Sequence, residues 1–137
     1  MSHVPADLHR AVIERSAGRC EYCRLAQLGQ EATFHVDHVI PISAGGRTQL
    51  DNLAWACVSC SLRKAARQSA MDPQTGEAAP LFNPRVDEWS DHFRWDGPRA
   101  IGLTPIGRAT IVALQMNRPL ILAIRAEETK LGRHPTD

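Results

Sequence analysis

Hydrophobic positions recur at helical spacing near both ends of the chain. Residues 5–17 place Leu8 and Val12 on one face, with a proline in the first turn and Gly18 where a helix would end. A second amphipathic stretch covers 105–116, and a third covers about 120–131, separated by Asn117 to Pro119. The apolar face of the second stretch consists of Ile106, Ala109, Val112, Ala113 and Met116. The pattern predicts one N-terminal and two C-terminal helices.

The middle of the chain has shorter apolar runs that are typical of strands. Residues 33–39 are rich in β-formers and end before Pro41, and residues 52–57 form a short apolar run suited to a return strand. The composition of 61–70 predicts a short basic helix. Residues 93–103, folded about Asp96-Gly97, predict a further hairpin. The expected central order is therefore strand, strand, helix.

These elements predict an α+β fold in one unit. A chain of 137 residues is about the size of one ordinary domain. We therefore expect a single domain over 1–137, with a core at about 20–70 and a C-terminal extension over about 71–137 that carries the hairpin and helices.

Charge and hydropathy exclude some classes of protein. Lysine and arginine number 16 against 15 aspartates and glutamates, so the net charge of +1 gives no general attraction to nucleic acid, and any basic surface must be local. No apolar run of 18 or more residues occurs, and the N-terminus lacks an apolar run of signal-peptide type. We expect a cytoplasmic protein with no membrane partner. The oligomeric state stays open.

The four cysteines lie in two C-x2-C pairs. In a reducing compartment such pairs favour metal binding over disulfides. Four thiolates match the tetrahedral preference of Zn²⁺ and leave no open position, which describes a structural zinc site. The predicted ligands are Cys20, Cys23, Cys57 and Cys60.

The segment between the pairs carries residues typical of catalysis. It contains His35-Val36-Asp37-His38, then Pro41, Gly45-Gly46 and Asn52-Leu53, and Ser61-Leu62-Arg63-Lys64 follows the last cysteine. With the paired cysteines, this arrangement resembles the HNH endonuclease family from about residue 20 to 64. The resemblance implies a ββα-metal core anchored by the four-cysteine zinc site.

Phosphodiester hydrolysis needs a base for the attacking water and a cation to stabilise charge on the phosphate and the leaving oxygen. By resemblance, His38 is the general base and Asp37 binds a catalytic Mg²⁺ or Mn²⁺. Asn52 corresponds to the family's middle asparagine, which holds the loop of the histidine by hydrogen bonds. Adjacent strand residues point to opposite faces, so Asp37 and His38 serve one site only if the strand twists or ends there.

Ser61 departs from the family pattern. The family usually has Asn or His directly after the last zinc cysteine, and a serine hydroxyl is shorter and a weaker ligand. Water can bridge Ser61 to the metal, or His35 can take part, because it shares a strand face with Asp37. We therefore include Ser61 and His35 with Asp37 as candidate ligands of the catalytic cation.

Basic residues on the predicted short helix are candidates for phosphate contacts. Helical spacing brings Arg63, Lys64 and Arg67 near one another. Such contacts position a backbone and give salt-dependent affinity without sequence selectivity. A solvated helix face is the alternative interpretation.

Three functional hypotheses follow. The first is a metal-dependent endonuclease that hydrolyses DNA, with double-stranded DNA as the expected partner and, by resemblance, 5'-phosphate and 3'-hydroxyl products. The second is a zinc-stabilised nucleic-acid-binding module that has lost efficient catalysis through Ser61. The third is a structural or interaction domain in which Asp37 and His38 meet no substrate.

Overall fold

The computed structural model describes residues 3–135, which form two compact units. The first unit comprises residues up to Gln68 together with Asn83–Val86, and the second comprises Ser69–Phe82 and the residues from Asp87 onward. The mixture of helices and small antiparallel sheets confirms the predicted α+β class. The single domain over 1–137 stays a prediction.

The first unit opens with helix α1, Ala6–Ser16, close to the predicted bounds. Pro5 precedes the helix, and Ala17 ends it in the left-handed region at φ 55°, followed by Gly18 at φ 72°. Val12 is fully buried on the inner face. The side chain of Arg15 donates to the backbone oxygen of Leu50 at 2.7 Å, which ties α1 to the loop before the second strand.

Two antiparallel strands form the centre of this unit. Strand β1, His35–His38, pairs with strand β2, Leu53–Ala56, in a register that sets His38 opposite Leu53. Every residue of β2 is buried, which agrees with its apolar sequence. Both predicted strands are confirmed, each shorter than its sequence window.

Helix α2, Val58–Lys64, corrects the predicted helix over 61–70. Cys57 caps it, because its sulfur accepts from the Cys60 backbone N–H, so the helix begins earlier than composition indicates. Ala65 ends it with a positive φ of 47°. Arg67 therefore lies outside the helix that was expected to carry it.

The second unit contains two hairpins and three helices among the described residues. Strand β3, Ser69–Met71, pairs with β4, Ala78–Pro80, a hairpin that the sequence did not predict. Helix α3, Trp89–His92, leads into β5, Phe93–Asp96, and β6, Arg99–Gly102, which confirm the predicted hairpin. Helices α4, Pro105–Ala113, and α5, Pro119–Lys130, confirm the two C-terminal helices.

A buried ion pair stabilises the second unit. Asp72 is fully buried and accepts from the guanidinium of Arg108 in α4 through both oxygens, at 3.0 and 2.9 Å. The same carboxylate accepts from the Gln74 backbone and the Thr75 hydroxyl, which closes the turn between β3 and β4. These bonds hold the pKa of Asp72 well below its usual range, with Arg108 as the main cause.

Across residues 3–135, no helix combines the length and the apolar character that a bilayer crossing requires.

Candidate metal centre and active site

The four cysteines of the first unit converge on one point. The sulfurs of Cys20, Cys23, Cys57 and Cys60 lie within 4.8 Å of one another, and all four side chains are buried. The Cys23 and Cys57 sulfurs are 3.7 Å apart. A tetrahedral Zn²⁺ with bonds of about 2.3 Å needs sulfurs roughly 3.8 Å apart. The cluster therefore fits a structural zinc site.

Local backbone conformation brings each pair into place. Between Cys20 and Cys23 the chain turns so that the Cys20 backbone donates to Leu25 O at 2.8 Å, and Arg24 adopts a positive φ of 67°. The second pair lies on the first turn of α2. Burial raises the pKa of the Cys20 thiol well above its ordinary value, so thiolates here require a compensating cation.

Asp37 accepts two side-chain bonds inside the unit. The Tyr22 hydroxyl donates to Asp37 Oδ2 at 2.7 Å, and Lys64 Nζ lies 3.2 Å from the same oxygen. The side chains of Asp37 and Lys64 are only 9% and 2% exposed. Burial raises the pKa of the Asp37 carboxyl above its ordinary value, against the opposing effects of Lys64 and Tyr22. A positive charge near this carboxylate therefore favours its ionised form.

His38 is the last residue of β1, and its ring is anchored by a hydroxyl. Nε2 lies 2.8 Å from Thr48 Oγ1. When Nε2 carries the proton and donates to Thr48, Nδ1 is the ring's acceptor. His38 and Asp37 both line a pocket of about 250 Å³. Val36, which precedes them in β1, lines the same pocket.

Asn52 fastens the segment that follows His38. Its Oδ1 accepts from Ile40 N at 2.9 Å, and its Nδ2 donates to Ile40 O and Arg47 O, each at 3.0 Å. Gly46 packs closely against the backbone that Asn52 holds, because a Cβ built there would be 1.8 Å from Ile40 O. Only glycine fits that approach, which gives the Gly45-Gly46 pair a structural reason.

The two remaining candidate ligands lie side by side. Ser61 Oγ is 3.5 Å from His35 Nδ1, where β1 meets α2. His35 is exposed, whereas Ser61 is partly covered. The structure thus brings the residue that departs from the family pattern next to the imidazole of the other candidate ligand.

The three candidate phosphate-binding residues differ in exposure. Arg67 is exposed and Arg63 is partly covered, donating to Ser59 Oγ at 2.6 Å. Lys64 is instead directed into the unit, where Nζ also donates to His38 O at 3.1 Å. The prediction of phosphate contacts stays a prediction for all three residues, and Lys64 does not present its ammonium group on the surface.

Among residues 3–135, the cysteines form the one group of three or more His, Cys, Asp or Glu side chains placed to hold a metal ion. Asp37 and His35 belong to no such group. This still fits Mg²⁺, which binds through one or two carboxylates, water and substrate phosphates more often than through an all-protein cage.

The sequence did not indicate the contacts of Tyr22 with Asp37 and of Thr48 with His38. Tyr22 is 15 residues from Asp37 and Thr48 is ten residues from His38. Thr48 belongs to no motif that indicated chemistry, and Tyr22 lies inside a C-x2-C pair without being one of its ligands. The position of Tyr22 between Cys20 and Cys23 was a usable hint, because zinc binding fixes the backbone on both sides of it.

Comparisons with known proteins agree with this architecture. Residues 20–67 match the HNH endonuclease family, which confirms the predicted resemblance over that segment. The chain is 26% identical over 111 residues to the Septu protein PtuB of Bacillus thuringiensis, covering 79% of this chain and 40% of the relative. The chain thus spans about two fifths of that curated relative. No solved structure matches.

Proposed function

We propose, from the match of residues 20–67 to the HNH endonuclease family, that this protein is a metal-dependent endonuclease that hydrolyses DNA phosphodiester bonds. The observation that carries the proposal is the shared pocket of Asp37 and His38, beside a four-cysteine cluster that fits zinc. The imidazole supplies a base for the attacking water, and the carboxylate supplies a ligand for the cation that hydrolysis needs.

His38 acts as the general base. With Nε2 donating to Thr48 Oγ1, Nδ1 is the ring nitrogen that accepts the proton of the attacking water. Asn52 keeps the loop after His38 in place through three hydrogen bonds to backbone groups. The histidine is therefore held in one orientation toward the attacking water. As general base it should raise the rate by about 10²–10⁴-fold.

Asp37 would hold a divalent cation, Mg²⁺ or Mn²⁺, with His35 or Ser61 as further ligands. The cation supplies charge stabilisation at the phosphate and the leaving oxygen. Arg63 and Arg67 contact backbone phosphates and position the duplex without reading its sequence. Products would carry a 5'-phosphate and a 3'-hydroxyl, as in the family that the segment resembles.

Ser61 supports a second candidate function. A serine stands where the family has a stronger ligand, and its hydroxyl lies 3.5 Å from His35. If His35 does not take over as ligand, the same fold would bind nucleic acid without cutting it. This zinc-stabilised binding module would keep the zinc cluster and the exposed Arg67.

Cleavage of supercoiled plasmid by zinc-loaded protein separates the two candidates. The assay compares the parent with Ser61→Asn in Mg²⁺ and in Mn²⁺, with a chelator control. Metal-dependent nicking by the parent supports the endonuclease. Cleavage by Ser61→Asn alone supports the binding module with a weakened metal site, and binding without cleavage by either protein contradicts the enzyme.

A further inference from the structure

We propose that Tyr22 is a positioning residue for the Asp37 carboxylate, and that the zinc cluster holds it in place. The inference rests on the proposed function, because it takes Asp37 as the ligand of the catalytic cation. It adds a direct link between the zinc site and the active site.

The backbone around Tyr22 is fixed on both sides. The residue lies inside the first C-x2-C pair and is 1% exposed. Beside it, Glu21 N donates to Trp55 O at 2.8 Å, which joins this turn to strand β2. With zinc held by the cysteines on both sides, the turn would leave the Tyr22 side chain little freedom. Its hydroxyl reaches Asp37.

The two oxygens of the Asp37 carboxylate have different contacts. Tyr22 and Lys64 both make their short contacts with Oδ2, at 2.7 and 3.2 Å. Among the described residues, Oδ1 makes only a 3.5 Å contact with Lys64 Nζ. The two donors thus hold the carboxylate by one oxygen and leave the other as the better acceptor for a cation.

The two donors to Asp37 belong to segments that carry the zinc-cluster cysteines. Tyr22 belongs to the turn of Cys20 and Cys23, and Lys64 is the last residue of the helix that carries Cys60 and is capped by Cys57. The two halves of the zinc cluster therefore supply the two contacts of Asp37. Outer contacts of this kind orient a metal ligand, and their loss typically lowers metal affinity by about 10–100-fold.

The test uses Tyr22→Phe, which removes the hydroxyl and keeps the buried ring. Ser16→Ala is the matched control, because it removes another largely buried hydroxyl of the same unit, bonded to Ile13 O at 2.8 Å. Calorimetric titration with Mn²⁺ of the zinc-loaded proteins measures binding directly. Asp37→Asn identifies the part of that binding which needs the carboxylate.

We expect Tyr22→Phe to weaken Asp37-dependent Mn²⁺ binding by roughly 10-fold at unchanged zinc content, while Ser16→Ala binds as the parent does. Parent-like Mn²⁺ affinity in Tyr22→Phe overturns the inference and leaves the proposed function standing. Equal Mn²⁺ binding, or none, in the parent and Asp37→Asn overturns Asp37 as a ligand, and the positioning role fails with it.

A stability cycle gives a readout that does not depend on the cation. Thermal midpoints are compared for the parent, Tyr22→Phe, Asp37→Ala, which removes the acceptor, and the double variant. If the hydroxyl acts through Asp37, the two changes are not additive, and the double variant loses less than the two single losses together. Additive losses would show that Tyr22 acts elsewhere and would overturn the inference.

Discussion

Thr48 Oγ1 lies 2.8 Å from His38 Nε2, so the imidazole at the end of β1 is held by a hydroxyl ten residues along the chain. A hydrogen bond at one ring nitrogen decides which nitrogen is left to accept a proton. In the tautomer in which Nε2 donates to Thr48, Nδ1 is left to act as the proposed base.

Thr48→Val should lower kcat for plasmid nicking by about 10-fold, because the ring loses its orienting partner while the base itself remains. Thr48→Ser retains the hydroxyl and should stay near the parent rate. Equal loss in both variants would show that the methyl group, and not the hydrogen bond, matters. Single-turnover rates at saturating protein make the comparison.

The two adjacent glycines should respond differently to alanine. Gly45 has a φ of 90° with open space around it, so Gly45→Ala should cost about 1–2 kcal/mol of unfolding free energy from backbone strain. Gly46→Ala forces a Cβ against Ile40 O and disturbs the hydrogen bond that Asn52 donates to this oxygen. We expect a cost on the order of 3–5 kcal/mol from the overlap and the lost hydrogen bonds. Urea denaturation measures both, and a smaller loss in Gly46→Ala than in Gly45→Ala would contradict this account.

Replacing the buried Lys64 should lower the stability of the first unit. Lys64→Met leaves the buried Asp37 carboxylate without the Lys64 ammonium group, so the unfolding free energy should fall by about 3–5 kcal/mol, with partial recovery when Asp37→Asn is added.

Arg67→Ala should leave stability unchanged, weaken DNA binding and reduce the slope of log affinity against log salt concentration by about 1. Fluorescence anisotropy at several salt concentrations measures the slope. An unchanged slope in Arg67→Ala would remove this residue from the proposed interface.

Much of the first unit was predictable because its helices, strands and cysteine pairs follow from patterns in short stretches of sequence. Spacing marked the cysteine pairs and α1, and apolar runs marked β1 and β2. The end of α2 was not predictable in the same way. Residues 61–70 have helical composition, but the cap at Cys57 and the positive φ of Ala65 decide where the helix lies.

Side-chain partners were the least predictable feature. Lys64 has the sequence context of a surface cation, yet it is 2% exposed because a buried carboxylate lies next to it. The β3–β4 hairpin has a similar explanation, since Ser69-Ala70-Met71 carries little β preference and the turn is held by the distant Arg108. Contacts that join separate parts of the chain leave no periodic trace in the sequence.

Asp72 predicts a pH dependence for the second unit. Its folded pKa lies below the unfolded value of roughly 3.9, so the folded state binds fewer protons and the stabilisation is present above that value. The stabilisation is lost as pH falls below about 4 toward the folded pKa. The parent should therefore lose stability more steeply than Asp72→Asn on acidification. Parallel pH profiles of the two thermal midpoints would show that Asp72 does not contribute.

The most direct measurement is metal-dependent nicking of supercoiled plasmid by the zinc-loaded parent, by His38→Ala and by His3→Ala as an exposed-histidine control. We expect the parent and His3→Ala to nick at the same rate, and His38→Ala to be slower by about 10²–10⁴-fold with its zinc content unchanged. Cleavage by His38→Ala at the parent rate would contradict the assignment of this pocket as the active site.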